Sequence, residues 1–120
     1  MRIFDVDERD SSWERDDARY RVYFFGPGHG YSVPGGEPAG YDVRTCDIVE
    51  ADLIDVLRFA QNEAGTDALY AVALVEEDSE ASDGHKRGLI WLTGHDFNDD
   101  IDGRTRDVMI ERKGRKLISF

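Results

Sequence analysis

Hydrophobic and polar positions change their period sharply near residue 47, which marks the clearest local structure in the chain. Tyr41, Val43 and Thr45 alternate with Asp42, Arg44 and Cys46, the two-residue period of a strand with one face against a core. From there Val49, Leu53, Val56, Leu57, Ala60 and Ala64 fall on one stripe at helical spacing, with Asp52, Asp55, Arg58 and Glu63 largely opposite. The spacing predicts one principal helix over about 48–64, with a start near Glu50 equally open because Ile48 can end the preceding strand. Asp47 and Glu50 stand at capping-box spacing, and Gly65 is placed to close the helix with a positive φ.

Residues 68–75 carry no polar side chain except the phenol of Tyr70. So short an apolar run, bounded by turn residues, predicts a strand buried on both faces. A second apolar run covers 89–92, and the polar stretch between them contains Asp83-Gly84, so an antiparallel hairpin with a long tip is the simplest connection. Bulky residues at 20–25 predict a further strand, and shorter ones are expected at 1–6, 108–110 and 117–120. The sum is a single α+β domain over 1–120: a mainly antiparallel sheet of five or six strands with the principal helix packed on one face. Phe24, Phe25, Tyr70 and Trp91 supply more aromatic surface than one helix can hide, so the opposite face needs cover from loops or a second copy.

Charge modifies this picture. The chain carries −6 over residues 1–60, −9 over 61–103 and +4 over 104–120, for a net charge of −11. Such a field repels nucleic-acid phosphates and anionic lipid and attracts basic protein surfaces. The expectation is therefore a basic protein partner, with no nucleic acid and no membrane. Arg112, Lys113, Arg115 and Lys116 form a basic end, for which charge pairing within an acidic protein is the better reading than DNA contact. A single cysteine excludes an internal disulfide and, with no apolar leader or membrane-length run, points to a cytoplasmic protein. Monomer and homodimer are both compatible with the sequence.

The chemistry-bearing patterns are sparse. Asn98, Asp100, Asp102 and Gly103 match the first half of a calcium loop, in which alternate oxygen ligands converge on a hard cation. The twelfth position is Met109, where a bidentate Glu is needed. If the loop bound calcium, the melting temperature would rise with the added ion. Residues 26–40 hold six glycines and three prolines and read as an excursion or a binding loop presenting His29 and Tyr31. The loop lacks the lysine and following helix of a phosphate-binding loop. Cys46, at the junction of strand and helix, is either a thiol activated by helix amides, with His29, His85 or His95 as base, or a small core side chain. Glu14, Asp16 and Asp17 beside Trp13 and Arg15 read as a solvated surface stretch.

Two classes of function follow. One is a small acidic protein-binding module, an immunity- or antitoxin-like inhibitor or an adaptor, using Asp52 and Asp55 on the helix, Glu76 and Glu77 with Asp78 and Glu80 as an acidic rim, and His29 and Tyr31 in the loop. The other is a small enzyme or ligand-binding domain with a pocket near 26–40. A concave pocket gathering two or more of His29, Cys46 and His95 would favour the second.

Overall fold

The computed structural model describes residues 1–11, 15–27, 41–77, 87–99 and 101–117. Four strands, β1 (Tyr20–Pro27), β2 (Tyr41–Ile48), β3 (Leu69–Glu77) and β4 (Arg87–Thr93), form an antiparallel sheet in the order β2-β1-β3-β4. Helix α1 (Leu53–Ala64) links β2 to β3, and α2 (Gly103–Glu111) follows β4. The class is α+β, and no described helix is long and apolar enough to cross a membrane.

Alternation along β1 sorts the core into two layers. Val22 and Phe24 face α1 and pack with Val56, Ala60, Ala64 and Val72. Phe25 faces the other way, against Leu69, Ala71, Phe97 and Met109. Both central strands are thus buried on both faces, as the apolar run in β3 predicts. Each fully buried Val or Phe side chain is worth about 1.5–3 kcal/mol, and Phe25, Val22, Val56 and Val72 are the largest of them. Phe24 also meets the edge of Phe59 on α1, with ring centroids 6.1 Å apart. Arg44 lies over its face while donating to Glu63 at 2.8 Å.

The structure corrects the sequence reading in four places. First, Ile48 ends β2, as the alternative reading has it, but the principal helix begins only at Leu53, later than either expected start, because Glu50 takes a positive φ of 57°, which no α-helix continues. The cap is Asp52, whose side chain accepts from the Ile54 amide at 2.7 Å, and Asp47 is engaged elsewhere. Second, residues 108–110 lie in α2, where Met109 is buried. Asp102 sets that helix by accepting from the Thr105 amide at 2.9 Å. A three-residue apolar run was too short to separate the two periods. Third, residues 1–6 form no strand: Ile3, Phe4 and Val6 are exposed, ahead of a 3-10 turn at Glu8–Asp10. Fourth, Leu117 lies in a bend, its amide donating to the buried Gln61 at 2.8 Å, and residues 118–120 fall outside the described set. The sheet of five or six strands is therefore four among the described residues, and the second helix covers the face that α1 leaves open.

Two glycines are required by backbone geometry. Gly65 closes α1 with its amide donating to Gln61 at 3.2 Å, at φ 60° and ψ −138°. The φ is positive as expected, but the ψ departs from the left-handed helical value. Gly94 ends β4 at φ 71°, and a Cβ there would stand 2.9 Å from the Ala71 Cβ and 3.2 Å from the Tyr70 carbonyl oxygen. Gly94→Ala combines strain with a collision against a central strand and should cost about 3 kcal/mol. Gly65→Ala meets nothing within 4 Å and should cost about 1–2 kcal/mol from conformation alone. Urea unfolding of both variants checks the order; equal losses would show that the contact with Ala71 relaxes freely.

Candidate functional site

Three chain segments meet where β1 begins and β2 and β3 end. Tyr20 pairs with Ile48 on one side and Leu74 on the other, and the Val75 amide donates to the Arg19 carbonyl at 2.9 Å. Segment 15–19 is therefore held along the end of β3. At the same end, β2 passes through the turn at Val49–Asp52 into α1.

Asp47 organises this end. Its Oδ1 accepts from Arg21 Nε at 2.7 Å, and its Oδ2 accepts from Arg19 Nε at 2.7 Å and from Arg21 at 3.1 Å. Charge-assisted bonds of this length, one pair of them bidentate, are the strong class. The Arg21 bond, opposed by partial burial and reinforced by Arg19, holds the Asp47 carboxyl at a pKa of about 2, and Asp47 in turn raises the Arg21 guanidinium.

Beside this network lies a cleft of about 330 Å³ lined by Arg15, Asp17, Arg19, Val49, Leu74 and Glu76, among others. That volume is at the small end of the range for ligand sites. Arg15 crosses the cleft, 3.4 Å from Glu76 and 3.8 Å from Asp17. The sequence reading took this stretch as plain surface, because a loop that becomes concave only by lying against another strand leaves no periodic signal.

On the other side of Val49 is the start of α1. Val49, Leu53 and Ile54 are apolar yet 53%, 38% and 44% exposed, and Glu50, Asp52 and Asp55 are interleaved with them. Between Arg44 and Arg58 the chain has no basic residue. Two of the three carboxylates also have a structural role: Asp52 caps the helix, and Asp55 in the first turn complements its dipole.

The sequence-derived candidates separate as follows. Asp52 and Asp55 are exposed together on the α1 corner, and Glu76 lies in the neighbouring cleft. Glu77 continues β3 opposite Arg87. His29, Tyr31, Asp78, Glu80, His85 and Asp100 lie outside the described residues. Cys46 packs against the α1-side core, where burial above all pushes its thiol pKa up, the reverse of an activated nucleophile. His95 lies against Trp91 with the rings tilted by 35° and centroids 4.7 Å apart, and Trp91 packs with the opposite core layer. The described residues therefore bring no cysteine and histidine together.

Of the calcium half-loop, Asn98, Asp102 and Gly103 lie among the described residues and Asp100 does not. Asp102 spends both oxygens on Thr105, at 2.9 Å each, which lowers its pKa. The Asn98 amide turns back to Asp96 at 3.1 Å. The chain enters α2 at Gly103, and Met109, the twelfth position, is core. No group of three or more His, Cys, Asp or Glu among the described residues could hold a metal ion. Part of the basic segment is engaged internally: Arg106 lies 4.4 Å over the Phe97 ring, Arg112 donates to Thr93 at 2.7 Å, and the exposed Arg115 reaches Glu111 at 3.4 Å. Compared with known protein families, curated proteins and solved structures, the chain matches none of them.

Two outcomes follow. Asp47 titrates lower in the folded chain than its ordinary 3.8, so its contribution is present above that value and is lost as pH falls toward 2. With the side chain 19% exposed, the contribution is on the order of 2 kcal/mol. Asp47→Asn should lose about that much at pH 7, and the gap to wild type should narrow between pH 4 and 2 in urea titrations. A gap independent of pH would assign the loss to packing. Millimolar calcium should leave the melting temperature of the wild type unchanged; a rise would restore the calcium loop.

Proposed function

We propose that this chain is a small acidic protein-binding module that engages a basic protein partner with the corner where β2 turns into α1. The observation that carries the reading is the exposed apolar trio Val49, Leu53 and Ile54 set among Glu50, Asp52 and Asp55. Protein interfaces are built this way, with an apolar centre that excludes water and a polar rim that fixes orientation. A carboxylate rim on a protein of charge −11 also speeds encounter with a cationic surface and disfavours nucleic acid. An inhibitor of the immunity or antitoxin kind, which caps a basic partner, and an adaptor are the roles such a face serves. The lone cysteine, on this proposal, stays reduced in the cytoplasm.

Glu50 adds support. A left-handed conformation costs a non-glycine residue about 1–2 kcal/mol, and glycine would serve the turn with less strain. Retaining a strained, exposed side chain fits a position used for contact.

The test is capture from lysate of the source cells, with wild type, Ile54→Ser and Asp55→Lys as baits, washed at low and high salt. The expected result is a basic protein held by wild type at low salt, released at high salt, and lost by both variants. No partner at low salt, or retention undiminished by either variant, overturns the proposal. Glu50→Gly should raise stability by roughly 0.5–1 kcal/mol while weakening capture, a split that a purely structural residue would not show.

A further inference from the structure

We infer that the cavity between α1, the end of β4 and the bend at Leu117 binds a small carboxylate with an apolar body, and that Arg112 holds the carboxylate. The cavity measures about 210 Å³ and is lined by Leu57 and Gln61 of α1, Tyr70 of β3, Thr93 of β4, Arg112 at the C-cap of α2, and Leu117. That is just below the range for drug-sized ligands, so a compact molecule fits it. Gln61 builds one wall: buried on α1, it accepts from the Leu117 amide at 2.8 Å and so fixes the C-terminal bend against the helix.

The charge of the lining calls for an anion. Arg112 is its one ionised side chain, and its Nη1 donates to a neutral partner, the Thr93 hydroxyl, at 2.7 Å. The chain has 26 acidic residues, yet among the described residues no carboxylate pairs with Arg112. A cation at the α2 C-cap complements the helix dipole, which accounts for a basic residue there but leaves a partly buried guanidinium without a counter-charge. A guanidinium carries five donors in a planar fork, so the bond to Thr93 still leaves donors for a carboxylate. Tyr70 adds a hydroxyl: burial pushes its phenol pKa up against the opposing pull of Arg112, so it remains an O–H donor at neutral pH. Leu57, Leu117 and the Tyr70 ring offer apolar surface to a hydrocarbon body. The local field is also favourable, since residues 111–117 carry four basic side chains against Glu111. With a Debye length of about 8 Å at physiological ionic strength, the cavity feels this segment more than the acidic surface farther off.

The experiment is an amide-resolved NMR titration of the full chain with hexanoate, with hexanamide as its uncharged equivalent, and with inorganic phosphate as an anion that has no apolar body. Hexanoate should shift the amides of Leu57, Tyr70, Thr93 and Leu117 saturably, with a dissociation constant on the order of a millimolar. Hexanamide and phosphate should bind at least about tenfold more weakly, and Arg112→Met should weaken hexanoate by about the same factor, the loss expected for a charge-assisted hydrogen bond. Should Arg112→Met loosen α2, Leu117→Trp keeps the guanidinium and fills the cavity from a wall that is 46% exposed, and it should abolish the response. No saturable response to hexanoate, an equal response to hexanamide or to phosphate, or hexanoate binding undiminished in the variants overturns the inference.

Discussion

The two central strands carry bulky apolar side chains on both faces, and that constraint organises the rest of the molecule. A strand with Val22 and Phe24 on one side and Phe25 on the other cannot leave either side in water, so the sheet needs two covers. The first is α1, delivered by the β2 to β3 connection. The second is assembled after β4 from Phe97 and Met109, and it depends on Gly94 bringing the backbone against Ala71 and on Asp102 starting α2 close by. Arg106 over the Phe97 ring and Arg112 on Thr93 then tie this cover down. Two arginines of the basic C-terminal part are in this way used by the fold itself.

Both faces of the two central strands are covered, while Ile90 and Leu92 on β4 stay exposed; what the described residues offer beyond that are the edges and ends of the sheet. The β2 edge carries Asp42, Arg44 and Asp47 along its length, the kind of charge that discourages pairing with another sheet. At the end of the sheet, Asp47 ties β2 to β1 through Arg21 and to the segment leading into β1 through Arg19. Fixing that segment against β3 makes the cleft concave, and the same strand end sets the start of the turn to Val49 and Glu50. The Asp47 network therefore positions both the cleft and the proposed binding corner.

The fold class, the β2-α1-β3 unit, the β3-β4 hairpin and the burial of both faces were legible because each rests on a run long enough to show its period. The errors fall where that condition fails. Val108, Met109 and Ile110 are too few to distinguish strand from helix, and the helical signal sits in the Asp102 and Thr105 cap that precedes them. Residues 1–6 alternate well enough but have no partner strand, and pairing is a property of two segments. The early helix start came from counting Val49 in the stripe, when the left-handed Glu50 breaks the path between them. Of the candidate site, Asp52 and Asp55 were visible as an acidic helix face. The cleft was not, because Arg15, Glu76 and Val49 are distant in sequence and meet only through strand order.

The acidic residues of the corner separate into those the fold uses and those it does not. Asp52 has a donor to satisfy and Asp55 a helix dipole to complement, so neither position by itself argues for a partner. Glu50 has no such justification: it stands at the one described non-glycine position with a positive φ, in a turn that glycine would complete at lower cost. Val49 and Ile54 likewise add apolar surface where a solvated helix start would carry polar residues. A sequence optimised only for this fold would change all three. That these costs fall side by side is what distinguishes the corner from the rest of an acidic surface, since local sacrifices of stability gather where a protein has something to contact.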